Sequence, residues 1–169
     1  YISILSTGLF QQYFINSMVI ATATTLLTLT VGTLAAYSLS RFEYPGRQGI
    51  LFTFLGTQML PLVLILIPFF LLMFTLNFID SYIGIIIAHS VGGIPLVTWL
   101  LKGYFDDIPT SLDEAAKMDG CSQLDILARV IVPLSLPGIA VAGFYTFILS
   151  WNEYLMVSIL SQTAATRTL

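Results

Sequence analysis

Residues 48–79 read QGILFTFLGTQMLPLVLILIPFFLLMFTLNFI, with no Asp, Glu, Lys, Arg or His anywhere in the run. A soluble domain of this size cannot hide so much apolar surface in its own core. A bilayer, by contrast, asks for about 20 apolar residues per helix, and the neighbouring sequence repeats the pattern. Residues 1–40 carry no charge, residues 81–101 hold only His89, and residues 130–152 hold no charged side chain. Overall the chain is 57% hydrophobic and 9% charged, with a mean hydropathy of +0.92, whereas soluble domains carry about 25% charged residues. The expectation is an all-α, polytopic membrane protein with four spans, over residues 16–40, 48–76, 81–101 and 136–160.

Each span has its own character. The first carries six threonines between Thr22 and Thr33, whose hydroxyls can bond back to their own helix or across to a neighbour. Pro61 and Pro68 should kink or break the second. Gly84, Gly92, Gly93 and Pro95 give the third close packing and a local bend. Residues 1–15, interrupted by Gly8, Gln11 and Gln12, read as an interfacial helix on the outer face. No cleavable signal is evident, and a start at Tyr1 suggests a piece of a longer chain. Cys121 is the single cysteine, so no internal disulfide and no thiolate cluster is expected.

Basic residues set the orientation. Arg41 and Arg47 flank the Tyr44-Pro45-Gly46 turn, and Lys102, Lys117 and Arg129 lie between the third and fourth spans, so five of the six basic residues share one side. That side faces the cytoplasm by the positive-inside rule. Within the loop of residues 102–135, Thr110 and Ser111 compete as N-caps. Ser111 with Glu114 fits a capping box, a short helix follows, and Gly120 stands where a left-handed corner is wanted. Ser122 with Asp125 starts a second helix that runs to Pro133. A plain connector accounts for charges and caps. Two capped helices presenting Ala115 and Ala116 at a tip favour a docking surface for another protein.

These residues resemble a known family. Glu114-Ala115-Ala116, then Gly120, then Pro133 thirteen positions later, is similar to the EAA loop of ABC importer permeases. Val130 and Val132 stand where that pattern has Ile and Leu. Lys102-Gly103-Tyr104-Phe105, Ile108-Pro109, Pro133-Leu134-Ser135-Leu136-Pro137 and Ser150-Trp151-Asn152-Glu153 extend the resemblance over nearly the whole chain. Asp119 before Gly120, with the Trp151-Asn152 pair, is similar to the carbohydrate-uptake branch, of the maltose-permease-like kind.

The resemblance implies a permease subunit of a binding-protein-dependent importer in a bacterial or archaeal cytoplasmic membrane. Such permeases usually have six spans, so these four correspond to the second to fifth, and the tail at residues 166–169 would lead into the sixth. It further implies that a coupling helix at residues 112–118 sits in a cleft of a cytoplasmic ATPase subunit. Glu114 would be the polar anchor, Ala115 and Ala116 the close contact, and Gly120 the corner. Asp119 would cap the next turn or touch the ATPase, and Pro133 with Pro137 would set the return to the membrane. The implied partners are the ATPases, a second permease subunit, an extracytoplasmic solute-binding protein, membrane lipid and a sugar, with no nucleic acid and no cofactor. Because no GxxxxGK[ST] loop occurs, hydrolysis would reside in another chain, and this one would not be an enzyme.

Trp151, Asn152 and Glu153 are candidates for a substrate pathway. Aromatic and amide groups suit a sugar's ring face and hydroxyls, and a carboxylate within a span usually faces a cavity or a partner. A hydrated Glu153 near the outer interface is an equal reading. His89 reads as a packed histidine rather than a proton relay. Two rival functions are an ion-coupled secondary transporter using His89 and Glu153, and a non-transporting membrane scaffold. Neither explains the spacing from Gly120 to Pro133.

Overall fold

The computed structural model describes residues 8–163 and 165–168, and every regular element among them is helical. Helix α1 runs unbroken over Gly8–Arg41, 34 residues, or about 51 Å at 1.5 Å per residue. That exceeds the roughly 30 Å hydrocarbon thickness. Residues 8–15 are therefore the outer continuation of α1, not a separate interfacial helix. Residues 1–7 of that expected helix lie outside the described residues. Thr25 and Thr30 donate to the carbonyls of Ala21 and Leu26, both at 2.7 Å, which gives their hydroxyls a partner within the helix itself.

The second apolar run folds into two short helices, α2 (Arg47–Gln58) and α3 (Leu62–Thr75), bent by 104° at their junction. Of the kink or break expected from the two prolines, the chain takes the break. The cause is local: Pro61 occupies the N-cap of α3 with φ −58° and ψ 128°, an extended conformation from which no helix continues, while Pro68 is absorbed inside α3. At 12 and 14 residues, neither piece alone matches the hydrocarbon thickness.

Helix α4 spans Tyr82–Asp106, and Ser81 caps it, its hydroxyl accepting from the Gly84 amide at 3.1 Å. The helix continues through Lys102–Phe105, so the expected loop begins in fact as helix, where Lys102 pairs with Asp106 one turn on. Helix α5 (Thr110–Met118) and helix α6 (Gln123–Leu134) follow. The chain then turns by 82° into α7 (Leu136–Asn152), breaks at Glu153, and ends regular structure in α8 (Leu155–Leu160). The fourth span is thus interrupted rather than continuous over residues 136–160. By length and composition α1 and α4 can each cross a membrane, and the bent pairs raise the number of candidate spans to four.

Helix α1 is the packing centre, held against α4 and α7. Small residues let the backbones approach: a Cβ added at Gly32 of α1 would lie 2.6 Å from Val97 Cγ1 of α4, and one at Gly143 of α7 would lie 3.1 Å from Leu29 Cδ1. Thr24, Thr28 and Thr98 are fully buried in this seam. Two apolar clusters close the bundle. One, at the basic end, joins Ala36, Leu101, Phe105, Ala116, Ile126 and Ile131. The other, at the outer end, joins Ile20, Leu66, Met73, Ile85, Met156 and Leu160.

Candidate functional site

At the basic end, α5 is a short surface helix with an unusually firm anchor. Its N-cap is Pro109, without a side-chain cap bond, so the Ser111–Glu114 capping box does not form. Proline's preset extended geometry starts the helix one residue before Ser111, which leaves Glu114 free to project. The firm contact comes from Asp113, whose carboxylate meets Arg41 Nε of α1 at 2.7 Å, both side chains less than a tenth exposed. Arg41 also donates through Nη2 to the Ile108 carbonyl at 3.0 Å. Beside them Tyr37 donates to Gln123 Oε1 at 2.9 Å, tying α1 to α6 as well. A buried ion pair with so few additional bonds tolerates little displacement, since separating it would leave an uncompensated charge.

The far end of α5 closes as expected. Gly120 has φ +83°. The Gly120 amide donates to the Lys117 carbonyl and that of Cys121 to the Ala116 carbonyl, both at 3.0 Å, which completes a Schellman motif. Asp119, the C-cap, donates its own amide to Ala115. The second expected box is present: Ser122 Oγ accepts from the Asp125 amide, and Asp125 returns the bond to the Ser122 amide at 3.2 Å. The Ser122 hydroxyl, more than the nearby Arg129, holds the Asp125 carboxyl below its ordinary range.

On a period of 3.6 residues, Asp113 and Ala116 share the inner face of α5, and Glu114, Ala115 and Met118 the opposite one. Ala116 is 8% exposed and belongs to the chain's own core. The expectation that it offers an outward contact is therefore corrected, because helical spacing places it beside Asp113, not beside Ala115. The outward face is apolar for a loop: Met118 is 87% exposed, and Leu124 of α6 is 69% exposed. Helix α6 ends at Leu134, one residue past Pro133, where the chain turns back as expected. Leu127–Ile131 winds as a π-helical turn, with the Val132 amide reaching the Leu127 carbonyl. That wider turn relieves the clash a proline ring makes with the carbonyl four residues earlier.

Within the bundle lies a cavity of about 370 Å³, bounded by α1, the α2–α3 break, α4 and α7. Of the three expected pathway residues only Glu153 reaches it. Its carboxylate oxygen Oε1 accepts from the Met156 amide at 3.1 Å, starting α8, so Glu153 sits at a helix break and not in mid-helix. Trp151 packs instead between Phe147, stacked at 5.8 Å, and Phe14, edge-on at 5.7 Å. Asn152 bonds back to Ile148 at 2.9 Å on an exposed face. The consecutive triplet is split because neighbouring helical residues point about 100° apart. His89, read from sequence as packed, is buried as expected, yet it is also part of the cavity wall and lies 2.7 Å from Ser150 Oγ.

The outer rim is built around Asp80, which has φ +56°. Its Oδ1 accepts from the Gln162 and Thr163 amides at 3.1 Å and from the Thr166 hydroxyl at 2.5 Å. These bonds, led by that of Thr166, hold its carboxyl at about 2 against the usual 3.8. Its contribution is therefore complete above 3.8 and fades only as pH falls towards 2. Asn16 adds a second clasp, donating to the Ala165 and Arg167 carbonyls at 2.9 and 2.7 Å. Sequence reading passed over Asp80, Asn16 and the Arg41–Asp113 pair. Each is a long-range contact: Asp80, Asn16 and Arg41 show in the sequence only as polar residues beside an apolar run, and Asp113 only as one of several charges in the loop.

A bundle of apolar helices, two of its four candidate spans broken, surrounds a largely apolar cavity with a few polar groups and carries a firmly anchored short helix at one end, which defines a polytopic helical membrane domain. The chain belongs to the family of binding-protein-dependent transport system inner membrane components, whose model matches residues 28–168. It is 38% identical over 152 residues to the maltodextrin transport system permease protein MdxG of Bacillus subtilis, covering 90% of this chain and 55% of that protein. The sulfoquinovosyl glycerol transport system permease protein SmoH of Agrobacterium fabrum is 36% identical over 93% of this chain and 55% of its own length. A crystal structure of a bacterial ABC transporter involved in the import of the acidic polysaccharide alginate contains a chain that superimposes with a TM-score of 0.87. That chain is 29% identical, with 97% of this chain and 57% of its own length covered. The present chain thus spans a little over half the length of these relatives.

Proposed function

We propose that this chain is the membrane-spanning part of a permease subunit in an ATP-driven, binding-protein-dependent importer of sugars or oligosaccharides. Residues 1–169 form one transmembrane domain, and residues 102–135 carry its cytoplasmic coupling segment. The single observation carrying the reading is α5: its inner face is locked by Asp113 and Ala116, and its outer face leaves Glu114, Ala115 and Met118 exposed. Exposed apolar side chains outside the bilayer mark an interaction surface. On this face Ala115 permits a close approach, Glu114 supplies a polar contact and Met118 an adaptable apolar one. Gly120 and Pro133 fix the corners on either side, and Asp119 closes the helix.

The partner on this face is a cytoplasmic ATPase subunit, with a second permease subunit beside the bundle and a solute-binding protein at the outer rim. The family membership and the names of the relatives support this assembly. Hydrolysis belongs to the ATPase chain, and displacement of α5 passes through Arg41 to α1. A cysteine at Ala115, in a Cys121→Ala background of the complete transporter, is expected to cross-link to the ATPase subunit on illumination after labelling with benzophenone maleimide. One at Lys102 is not. Equal cross-linking from both positions, or none from Ala115, would contradict the assignment.

A further inference from the structure

We infer that the groove between α2 and α4 at the basic end is a phospholipid headgroup site, built for a zwitterionic lipid that carries a primary ammonium. It stands independently of the importer reading. The groove is open, about 370 Å³ in volume, and lies between Leu51 of α2 and the last two turns of α4. Residues 81–101 hold no Asp, Glu, Lys or Arg, and Lys102 is the first charge after them. The groove thus sits where an apolar span meets its flanking charges, the depth at which lipid phosphates lie.

The charges there are incompletely matched. Lys102 pairs with Asp106 through Oδ2, and Ser40 of α1 donates to Oδ1 of the same carboxylate at 2.6 Å. Asp106 is thereby occupied on both oxygens. An ammonium has three donors, and Asp106 takes one of those on Lys102. Asp107 also lines the groove, and its exposed carboxylate has no partner among the described residues. It is the C-cap of α4, at the negative end of the helix dipole, where a cation is favoured and a carboxylate is not. Donors left on Lys102 suit a phosphate, and the unmatched Asp107 suits a cation.

Phosphatidylethanolamine brings both groups in one headgroup. Its phosphate meets Lys102, and its ammonium meets Asp107 through charge-assisted N–H to carboxylate bonds. Phosphatidylglycerol supplies a phosphate without a cation, so it sets a further negative charge against Asp107 and the helix end. A choline headgroup supplies a cation with no N–H to donate. On the membrane side, Trp99 is 51% exposed and lines the groove with Leu51, an indole at interfacial depth beside an apolar surface for the first acyl carbons. Gly103 keeps the groove open, with nothing within 4 Å of an added Cβ.

The test is photolabelling of the complete transporter in phosphatidylcholine vesicles doped with a phosphatidylethanolamine or a phosphatidylglycerol probe. Both probes bear a diazirine at the same acyl carbon near the glycerol, and labelled peptides are mapped by mass spectrometry. Label on the segments containing Leu51 and Trp99 is expected to be about fivefold higher from the phosphatidylethanolamine probe, with equal labelling by the two probes elsewhere on the bundle. Asp107→Asn, at an exposed side chain, should abolish the preference. Gly103→Leu, which fills the groove without altering a charge, should abolish it too. Equal labelling of these segments by the two probes, or a preference that survives either substitution, would overturn the site. So would the absence of label from both segments in the unmodified protein, which would show the groove covered by another part of the transporter.

Discussion

Asp113→Ala is expected to lower the stability of the basic end by about 3–5 kcal/mol, the usual cost of removing one partner from a buried ion pair. Arg41 would keep only its bond to the Ile108 carbonyl, in a site where its side chain is 7% exposed. The loss comes from stranding a guanidinium, not from losing attraction alone. It follows that removing both charges, as in R41M with D113L, should recover most of the stability, because two apolar side chains of similar length can fill the same space. Thermal unfolding of the purified transporter measures the cycle. A double variant no more stable than D113A would show that the pair is not what holds α5. In transport, Asp113→Ala should impair uptake more than any change on the outer face of α6, since α5 would no longer move with α1.

Gly84→Ala is the second large effect, at the opposite end of the bundle. An added Cβ would lie 2.1 Å from the Phe78 carbonyl oxygen and 3.1 Å from its carbon. Backbone cannot swing aside as a side-chain tip does, so α4 or the turn before it must shift. That turn is already tightly wound, with Asn77 and Asp80 both at φ +56°. Overpacking a well-fitted site costs about 1–3 kcal/mol and sometimes more, and here it should reach at least the upper end. The shift would also displace Asp80 from Gln162, Thr163 and Thr166, freeing the segment after α8. Limited proteolysis of the outer face should therefore cut residues 161–168 faster in Gly84→Ala, whereas Gly92→Ala, which has open space at its Cβ, should cut at the original rate. Equal rates would mean that the Phe78 contact does not set this turn.

Much of this architecture could be read from the chain before its structure was known, and the parts that could not share a cause. Charge-free runs and basic flanks locate spans and sides, because the bilayer acts on each segment independently. Gly120 and the Ser122–Asp125 box were legible for the same reason: caps are decided within a few residues. Where two local signals compete, sequence is a weaker guide. Thr110 and Ser111 compete as N-caps, and the cap falls instead on Pro109, two residues before Ser111, which removes the expected box at Glu114. Breaks are harder still. Pro61 announces a bend but not its 104°, and nothing in Ser150-Trp151-Asn152-Glu153 says that α7 stops there. Contacts such as Arg41 with Asp113, or His89 with Ser150, depend on how helices meet in space. A short motif conceals them further, since Trp151 and Glu153 look like neighbours yet face different surroundings.

The central claim is that the outward face of α5 receives the ATPase while its inward face is fixed to α1. Side-by-side measurement of substrate-stimulated ATP hydrolysis and solute uptake tests it most directly, on the complete transporter reconstituted with its binding protein, comparing the unmodified chain with Ala115→Trp and Met118→Asp. Both substitutions fall on exposed side chains of α5, so insertion and assembly of the permease should be preserved. The account predicts that uptake falls at least tenfold in each variant and that hydrolysis no longer responds to loaded binding protein. Uptake and stimulated hydrolysis at unmodified levels in both would contradict it, leaving α5 a connector between membrane helices.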